Sequence, residues 1–383
     1  MAEKGKTRGL RIAMIGTRGI PSSYSGFETF VEELSTRLVG RGHKVTVYCR
    51  SYHIKQKDKW YRGVELLRLP TIQRKHLDTI VHTFLSIVHL SLRKYDIVYI
   101  CNVGNAVLSG IPRVFGKKVI LNVDGTDWRR TKWGRFAKKL VKSSAYFAAL
   151  FPNVVIADSM FIKNYYLQKF KKDLVFIPYG ANIVQSEDAN VLEDYGLEKR
   201  KYVLFVGRLV PENRAHDLIE AFERLQINTD MKLVIVGDAP YSDEYIRSLK
   251  STRNRSIVFT GYVFGEGYKE LSCNAYVFVV PTEAEGTHPV LLEAMASRNC
   301  VLVNNTPSNL EVIGDAGIPF DGAQGSEDLR KQLERLMQNP GLVETYREKA
   351  VKRVRDHYNW DRITDQYEKL FLELLSREGP KKG

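Results

Sequence analysis

Apolar residues along this chain gather in short, often unbroken runs, and between the runs they recur at the spacing of one helix face. In the first half the runs predict strands over 11–16, 44–50, 64–70, 97–101, 119–123, 154–158 and 175–179. Strands that are apolar throughout are those covered on both faces, so a parallel sheet is the economical reading. Helical patterns over 28–41, 77–93, 133–150 and 160–170 lie between them. A polar stretch over 185–200 interrupts the alternation, which then restarts with strands predicted over 202–207, 232–237, 257–261, 276–281 and 300–304, each followed by a helix.

That pattern predicts an α/β chain of two Rossmann-like, doubly wound domains, 1–187 and 188–361. From Glu327 onward the spacing is helical. The last stretch carries Ile363, Tyr367, Leu370, Phe371 and Leu374 on one face, so a helix of about 362–383 is expected to pack back on the first domain. Open α/β sheets bind ligands at the carboxyl ends of their strands, which makes a cleft between two facing sheets the expected active site.

Composition narrows the classes. With 383 residues, 44% of them hydrophobic, and no heptad or longer repeat, disorder, coiled coil and solenoid are set aside. Cys49, Cys101, Cys273 and Cys300 lie far apart, which suits core thiols in a reducing compartment better than a disulfide frame or a zinc site. No signal-peptide core or membrane-spanning run is read, so the expected location is the cytoplasm. Residues 1–190 hold 32 Lys/Arg against 14 Asp/Glu, whereas 191–383 hold 26 against 30. A basic half could meet nucleic acid, an anionic membrane or phosphorylated substrates, and charge alone does not separate these.

Two loops carry candidate chemistry. After the first strand, Gly16 to Gly26 (GTRGIPSSYSG) leads into a helix, an arrangement that lets backbone N–H groups approach an anion. The dinucleotide fingerprint and the P-loop are both absent. In the second domain, EGTHPVLLEAMA follows an apolar strand. Pro289 suits a helix start, so amides around His288, Val290 and Leu291 are expected to face a phosphate, with Gly286 and Thr287 in the approach. Glu293, one turn into that helix, suits ribose hydroxyls, and Glu285 sits in the loop before it. The histidines, His288 included, show no ligand spacing, so no protein-bound metal is expected.

Glu285 and Glu293 form an E-x7-E motif that resembles the retaining glycosyltransferases of family 4, which have the GT-B fold. GRLVPEN at 207–213 resembles that family's phosphate-binding strand end, and IPYGAN at 177–182 its domain-closing segment. GIPSSYSGFETFVEEL and NVDGTDWRRTKWGRF (122–136) resemble a branch that includes bacterial rhamnosyltransferases. The resemblance runs over roughly 10–375 and implies chemistry without a protein nucleophile. A nucleotide diphosphate leaves, an acceptor hydroxyl attacks from the same face, and the protein supplies positioning and positive charge.

By resemblance, Arg208 is the cation on the leaving group, Glu285 lies near the transferred sugar, Glu293 near the ribose, and Tyr262 and Val263 near the base. The family's usual lysine is replaced by Asn213, followed by Arg214, so Arg214 is its candidate substitute. Asp124 stands where the family often has a histidine and is, with Arg208 and Glu285, a catalytic candidate placed to touch sugar or acceptor, and Asn102 is a second candidate contact for the acceptor. The implied co-substrate is a nucleotide-diphosphate sugar, with no other cofactor, and the implied acceptor a lipid-linked saccharide.

Between Trp128 and Ala157, Arg129, Arg130, Lys132, Arg135, Lys138, Lys139 and Lys142 occur with aromatics and no acid. This suits an anionic membrane face and a peripheral location on the inner side of the plasma membrane. Two rival readings stay open: a nucleotide-sugar epimerase or hydrolase of the same architecture, and a nucleic-acid-binding module on the basic half. No RRM, KH or zinc-finger signature accompanies the latter.

Overall fold

The structure, a computed structural model, describes residues 9–22, 26–54, 58–74, 77–123, 135–240 and 242–376, the side chains of 135–142 excepted. Two compact units divide the chain, Met1–Pro178 with Trp360–Gly383, and Tyr179–Asn359. The division falls at 178 rather than 187 because the intervening backbone is tied to the second unit. The Ala181 N–H donates to the Tyr358 carbonyl at 2.8 Å, and that of Val184 to the Ala296 carbonyl at 3.2 Å.

In the first unit the strands are β1 (Arg11–Ile15), β2 (Lys44–Arg50), β3 (Trp60–Tyr61), β4 (Val64–Leu69), β5 (Ile97–Cys101), β6 (Lys118–Val123), β7 (Val154–Ala157) and β8 (Val175–Phe176). They form one sheet in the order β3-β4-β2-β1-β5-β6-β7-β8, parallel except for the β3–β4 pair. Every residue of β5 is buried, as an unbroken apolar central strand requires. The helices are α1 (Gly26–Gly40), α2 (Asp78–Ser91), α3 (Ile111–Val114), α4 (Arg135–Leu150) and α5 (Met160–Phe170). On α1, Phe30, Val31, Leu34 and Leu38 recur at three- and four-residue spacing and are all buried.

The second unit contains β9 (Tyr202–Val206), β10 (Lys232–Val236), β11 (Ile257–Gly261), β12 (Val277–Val280), β13 (Cys300–Asn304) and β14 (Ile318–Phe320). All pair in parallel in the order β11-β10-β9-β12-β13-β14. Helices α6 (Asn190–Asp194), α7 (Ala215–Glu223), α8 (Asp243–Leu249), α9 (Gly265–Asn274), α10 (Pro289–Ala296), α11 (Pro307–Ile313), α12 (Ser326–Gln338) and α13 (Pro340–His357) connect and flank them. In both sheets the strand order reverses once, between β1 and β5 and between β9 and β12. Each reversal opens a crevice at the carboxyl ends of two neighbouring strands.

The last helix, α14 (Trp360–Ser376), belongs to the first unit. Its Trp360, Ile363, Tyr367 and Phe371 are buried. The Phe30 ring lies 5.5 Å from Tyr367 and 6.0 Å from Trp360, and the Tyr99 and Tyr367 hydroxyls are 3.3 Å apart. Arg41 on the α1 side reaches Asp365 at 2.7 Å and Glu368 at 2.8 Å. All four cysteines are buried and free, and burial pushes the Cys49 thiol up to about 11 and that of Cys300 up to about 12. Among the described residues no helix is long and apolar enough to cross a membrane.

Candidate active site

The second unit's crevice is built by the loops that leave β9 and β12. β9 ends at Val206, and the chain must turn at once past β10. It does so in tight contact: a Cβ on Gly237, whose φ is +135°, would lie 1.9 Å from the Gly207 carbonyl oxygen. Arg208 follows at the strand end with its side chain exposed. A single 3-10 turn, Pro211–Asn213, then delivers the chain to α7.

Asn213, where the lysine of the resemblance is missing, is part of the scaffold. Its Nδ2 donates to the Arg208 carbonyl at 2.8 Å, and its Oδ1 accepts from the Thr282 hydroxyl at 3.2 Å. Thr282 is buried, just beyond β12, so its bond fixes the two loops to each other, while the bond to Arg208 braces the β9 loop itself. The Glu283 N–H adds a further tie between the loops by donating to the Glu212 carbonyl at 3.1 Å. Arg214 adopts a left-handed conformation, φ 52°. Its Nε donates to Asp217, and its Nη1 lies 3.5 Å from Glu283. Its charge therefore faces two carboxylates, which weakens its candidacy as the substitute cation.

Glu285 is half-buried and held by Ser308 in the first turn of α11. The Ser308 hydroxyl donates to the Glu285 carboxylate at 2.7 Å and accepts from the Gly286 N–H at 2.9 Å. Gly286 has φ +113°, a conformation that favours glycine. The His288 ring, as the Nε2–H tautomer, donates to the Ala284 carbonyl at 3.0 Å and closes the loop on itself. Thr287 is buried within it.

Helix α10 starts at Pro289, as the sequence predicts. The amides expected around its start are fewer than expected, because Pro289 has no N–H and that of Leu291 is spent on the His288 carbonyl at 3.0 Å. Val290 lies between them, half-buried. Glu293 sits one turn on, and one of its oxygens accepts from the Tyr268 hydroxyl of α9 at 3.0 Å. Burial and the neighbouring Glu293 carboxylate push the Tyr268 phenol well above its usual range, so it stays a donor. Val263 follows Gly261 at the end of β11, and Tyr262 there stacks on Phe264 with ring centroids 5.6 Å apart.

In the first unit, Gly16 and Asn102 stand at the ends of the adjacent strands β1 and β5. Gly16 has φ +97°, and a Cβ there would meet the Cys101 carbonyl at 2.5 Å. Asn102 also has a positive φ, 75°, and its side chain accepts from the Gly104 N–H at 2.8 Å, which explains the asparagine as a turn former. Gly26 is the first residue of α1 rather than a loop glycine. Asp124, Arg129, Arg130 and Lys132 lie outside the described residues, as do the side chains of Arg135, Lys138, Lys139 and Lys142. A cavity of about 310 Å³ in this unit lies among Val154, Val175, Phe176, Leu370 and Leu374, and no site residue is among those that line it.

Sequence reasoning missed Ser308, Thr282, Asn304 and Tyr268. Asn304, at the end of β13, donates to the Thr282 carbonyl at 3.2 Å and accepts from the Gly322 N–H at 3.1 Å. For Ser308 a signal was available: Thr306-Pro307 is a cap followed by a helix-starting proline, which places Ser308 in a first turn beyond a strand. Replacing Ser308 by Ala is expected to lower turnover about tenfold while leaving donor affinity within about twofold, on the scale of one hydrogen bond to a charged group. Steady-state kinetics with a direct binding measurement check this.

Two doubly wound units, one of them with a cation, two carboxylates and a helix start at its switch point, define the GT-B architecture. Residues 189–354 match the family described as glycosyl transferases group 1, and residues 10–182 match a domain of unknown function, DUF1972. The second unit thus carries a group 1 glycosyl transferase domain of the family 4 type, and the coarse class of the protein is glycosyltransferase. It is 25% identical over 395 residues to an uncharacterized glycosyltransferase of Methanocaldococcus jannaschii, covering 96% of this chain and 100% of that one. It is 33% identical to O-antigen chain mannosyltransferase B of Escherichia coli over 135 residues, which are 34% of this chain and 35% of the relative. The fold is similar to that of HepE from Anabaena in complex with UDP and glucose, with a TM-score of 0.78, 15% identity, and coverage of 95% of this chain and 100% of that one.

Proposed function

We propose that the protein transfers a hexose or deoxyhexose from a nucleotide-diphosphate sugar to a saccharide acceptor, with retention at the anomeric carbon and without a bound metal or other cofactor. The observation that carries this reading is the convergence of Arg208, Glu285 and the α10 start at the carboxyl ends of β9 and β12. The sugar of this reading is L-rhamnose from a dTDP donor. The acceptor is lipid-linked and the product a bacterial surface glycan, made in the cytoplasm by an enzyme peripheral to the inner face of the plasma membrane. Support comes from the rhamnosyltransferase-like segments, from the E. coli relative named for the O-antigen chain, and from the basic stretch over 129–142.

On this reading the bond between the sugar C1 and the diphosphate oxygen breaks as the acceptor oxygen bonds to C1 on the same face. The acceptor proton passes to the leaving phosphate. Arg208 and the positive end of α10 offset the charge that grows on the diphosphate. Glu293, positioned by Tyr268, meets the ribose, and Glu285, fixed by Ser308, orients the transferred sugar.

A thermal-shift series with UDP, GDP, dTDP and ADP and their sugars tests the donor. At a hundred times its dissociation constant the true nucleotide should stabilise by about 2.7 kcal/mol. dTDP should give the largest shift, and another nucleotide in its place would overturn the rhamnosyl reading. Product analysis with and without a saccharide acceptor separates transfer from hydrolysis or epimerisation.

A further inference from the structure

Helix α2 carries large apolar residues on both its buried and its exposed side. Its inner side, with Ile87 and Leu90, is buried against the sheet. On its outer side Phe84, Val88 and Leu92 follow at four-residue intervals and so form one line. Phe84 and Val88 are about half exposed and Leu92 is 83% exposed. A soluble helix normally presents polar residues there.

The stripe continues onto neighbouring elements. Val114 at the end of α3 is 85% exposed, and Phe115 and Leu150, the last residue of α4, are each about half exposed. Two hydrogen bonds join these places. The Lys117 ammonium donates to the Arg93 carbonyl just past α2, and the Arg113 guanidinium donates to the Phe151 carbonyl just past α4 at 2.6 Å. The ends of α2, α3 and α4 thus share one surface. Around it stand Arg93, Lys94, Arg113 and Lys117. Residues 79–123 hold five Lys/Arg and a single acid, Asp96, and the Asp96 carboxylate accepts from the Arg11 N–H at 2.7 Å.

We infer that the outer face of α2, continued by Val114, Phe115 and Leu150, is the surface on which the protein enters the interfacial zone of an anionic phospholipid bilayer. The inference rests on the membrane reading above and assigns the contact to residues other than those of the 129–142 stretch. An apolar stripe with a basic rim matches a lipid surface on both counts: side chains enter the acyl boundary, and Lys/Arg meet acidic headgroups. A second copy of the chain fits less well, because a symmetric contact would set this basic rim against itself.

The test is flotation of the full chain with phosphatidylglycerol-containing and pure phosphatidylcholine vesicles at low and high salt, together with the solution mass. The wild type should float with the anionic vesicles and release as salt rises. The triple variant Leu92→Ser, Val114→Ser, Phe115→Ser should lose at least about tenfold in partitioning, as should the pair Arg93→Glu, Lys94→Glu, with nucleotide-induced thermal shifts unchanged. Binding of both variants at the wild-type level overturns this surface while the membrane reading stands. A wild type that ignores anionic vesicles overturns both. A wild-type dimer that the triple variant converts to monomer assigns the face to a second copy and overturns the inference.

Discussion

An Arg208→Ala enzyme is expected to turn over at least about a hundredfold more slowly than wild type, on the scale of losing one donor that stabilises developing charge. The reason is the surroundings of Arg208 rather than its presence alone. Family 4 relatives commonly bring a second cation five residues on. Here that place is filled by Asn213, which bonds the Arg208 carbonyl and Thr282, and the next cation, Arg214, is engaged by Asp217 and Glu283. On the proposed reading Arg208 therefore carries more of the task than its counterpart in a two-cation site. Arg214→Ala should lower turnover by less than about fivefold, while costing about 1 to 3 kcal/mol of stability because Asp217, a buried carboxylate, loses Arg214 and keeps His216 at 3.3 Å. Asn213→Lys on the Arg208→Ala background should recover part of the rate, at the expense of the bond to Thr282 between the two loops. Turnover and denaturation midpoints measured on the same preparations decide. A hundredfold loss in Arg214→Ala without a stability change would place Arg214 on the phosphates instead.

Glu285→Ala and Glu293→Ala should fail in different ways. On the proposed reading Glu293 bonds ribose in ground and transition states alike, so its loss should weaken donor binding by about 1.5 to 3 kcal/mol, roughly ten- to a hundredfold. On the same reading the loop of Glu285 meets the transferred sugar, and its interaction strengthens as the bond to the diphosphate breaks. Its loss should lower kcat about a hundredfold or more with donor affinity nearly unchanged. Calorimetric donor titration and single-turnover rates separate the two, and equal losses of affinity in both variants would dissolve the distinction.

Much of the architecture is legible from hydrophobic spacing. β2, β5, β11, β13 and α5 begin and end where the pattern of apolar residues does, because long parallel strands and capped helices write themselves into that pattern. Short elements do not. β3 has two residues and β14 three, with Pro319 inside an edge strand, and neither is long enough to establish a period. Helix α6 is five residues within a stretch whose polarity reads as an interruption. In the site, the loops and the helix start at Pro289 follow from residue type. The partners of the key side chains do not: Arg214 meets Glu283 and Glu285 meets Ser308 across long sequence separations. Thr282 and Asn304 are single polar residues at strand ends, where no periodicity marks them.

Helix α14 is the last described part of the chain, yet it finishes the first unit. A ribosome must therefore make all of Tyr179–Asn359 before Trp360, Ile363, Tyr367 and Phe371 can reach Phe30 and Tyr99. Until then the nascent first unit exposes the apolar surface those side chains later cover, worth about 1.5 to 3 kcal/mol for each one buried. The second unit is continuous in sequence and has no such wait. A chain stopped at Asn359 should accordingly yield a second unit able to fold beside a first unit that is prone to aggregate. Premature termination late in the message would then remove activity through the unit made first.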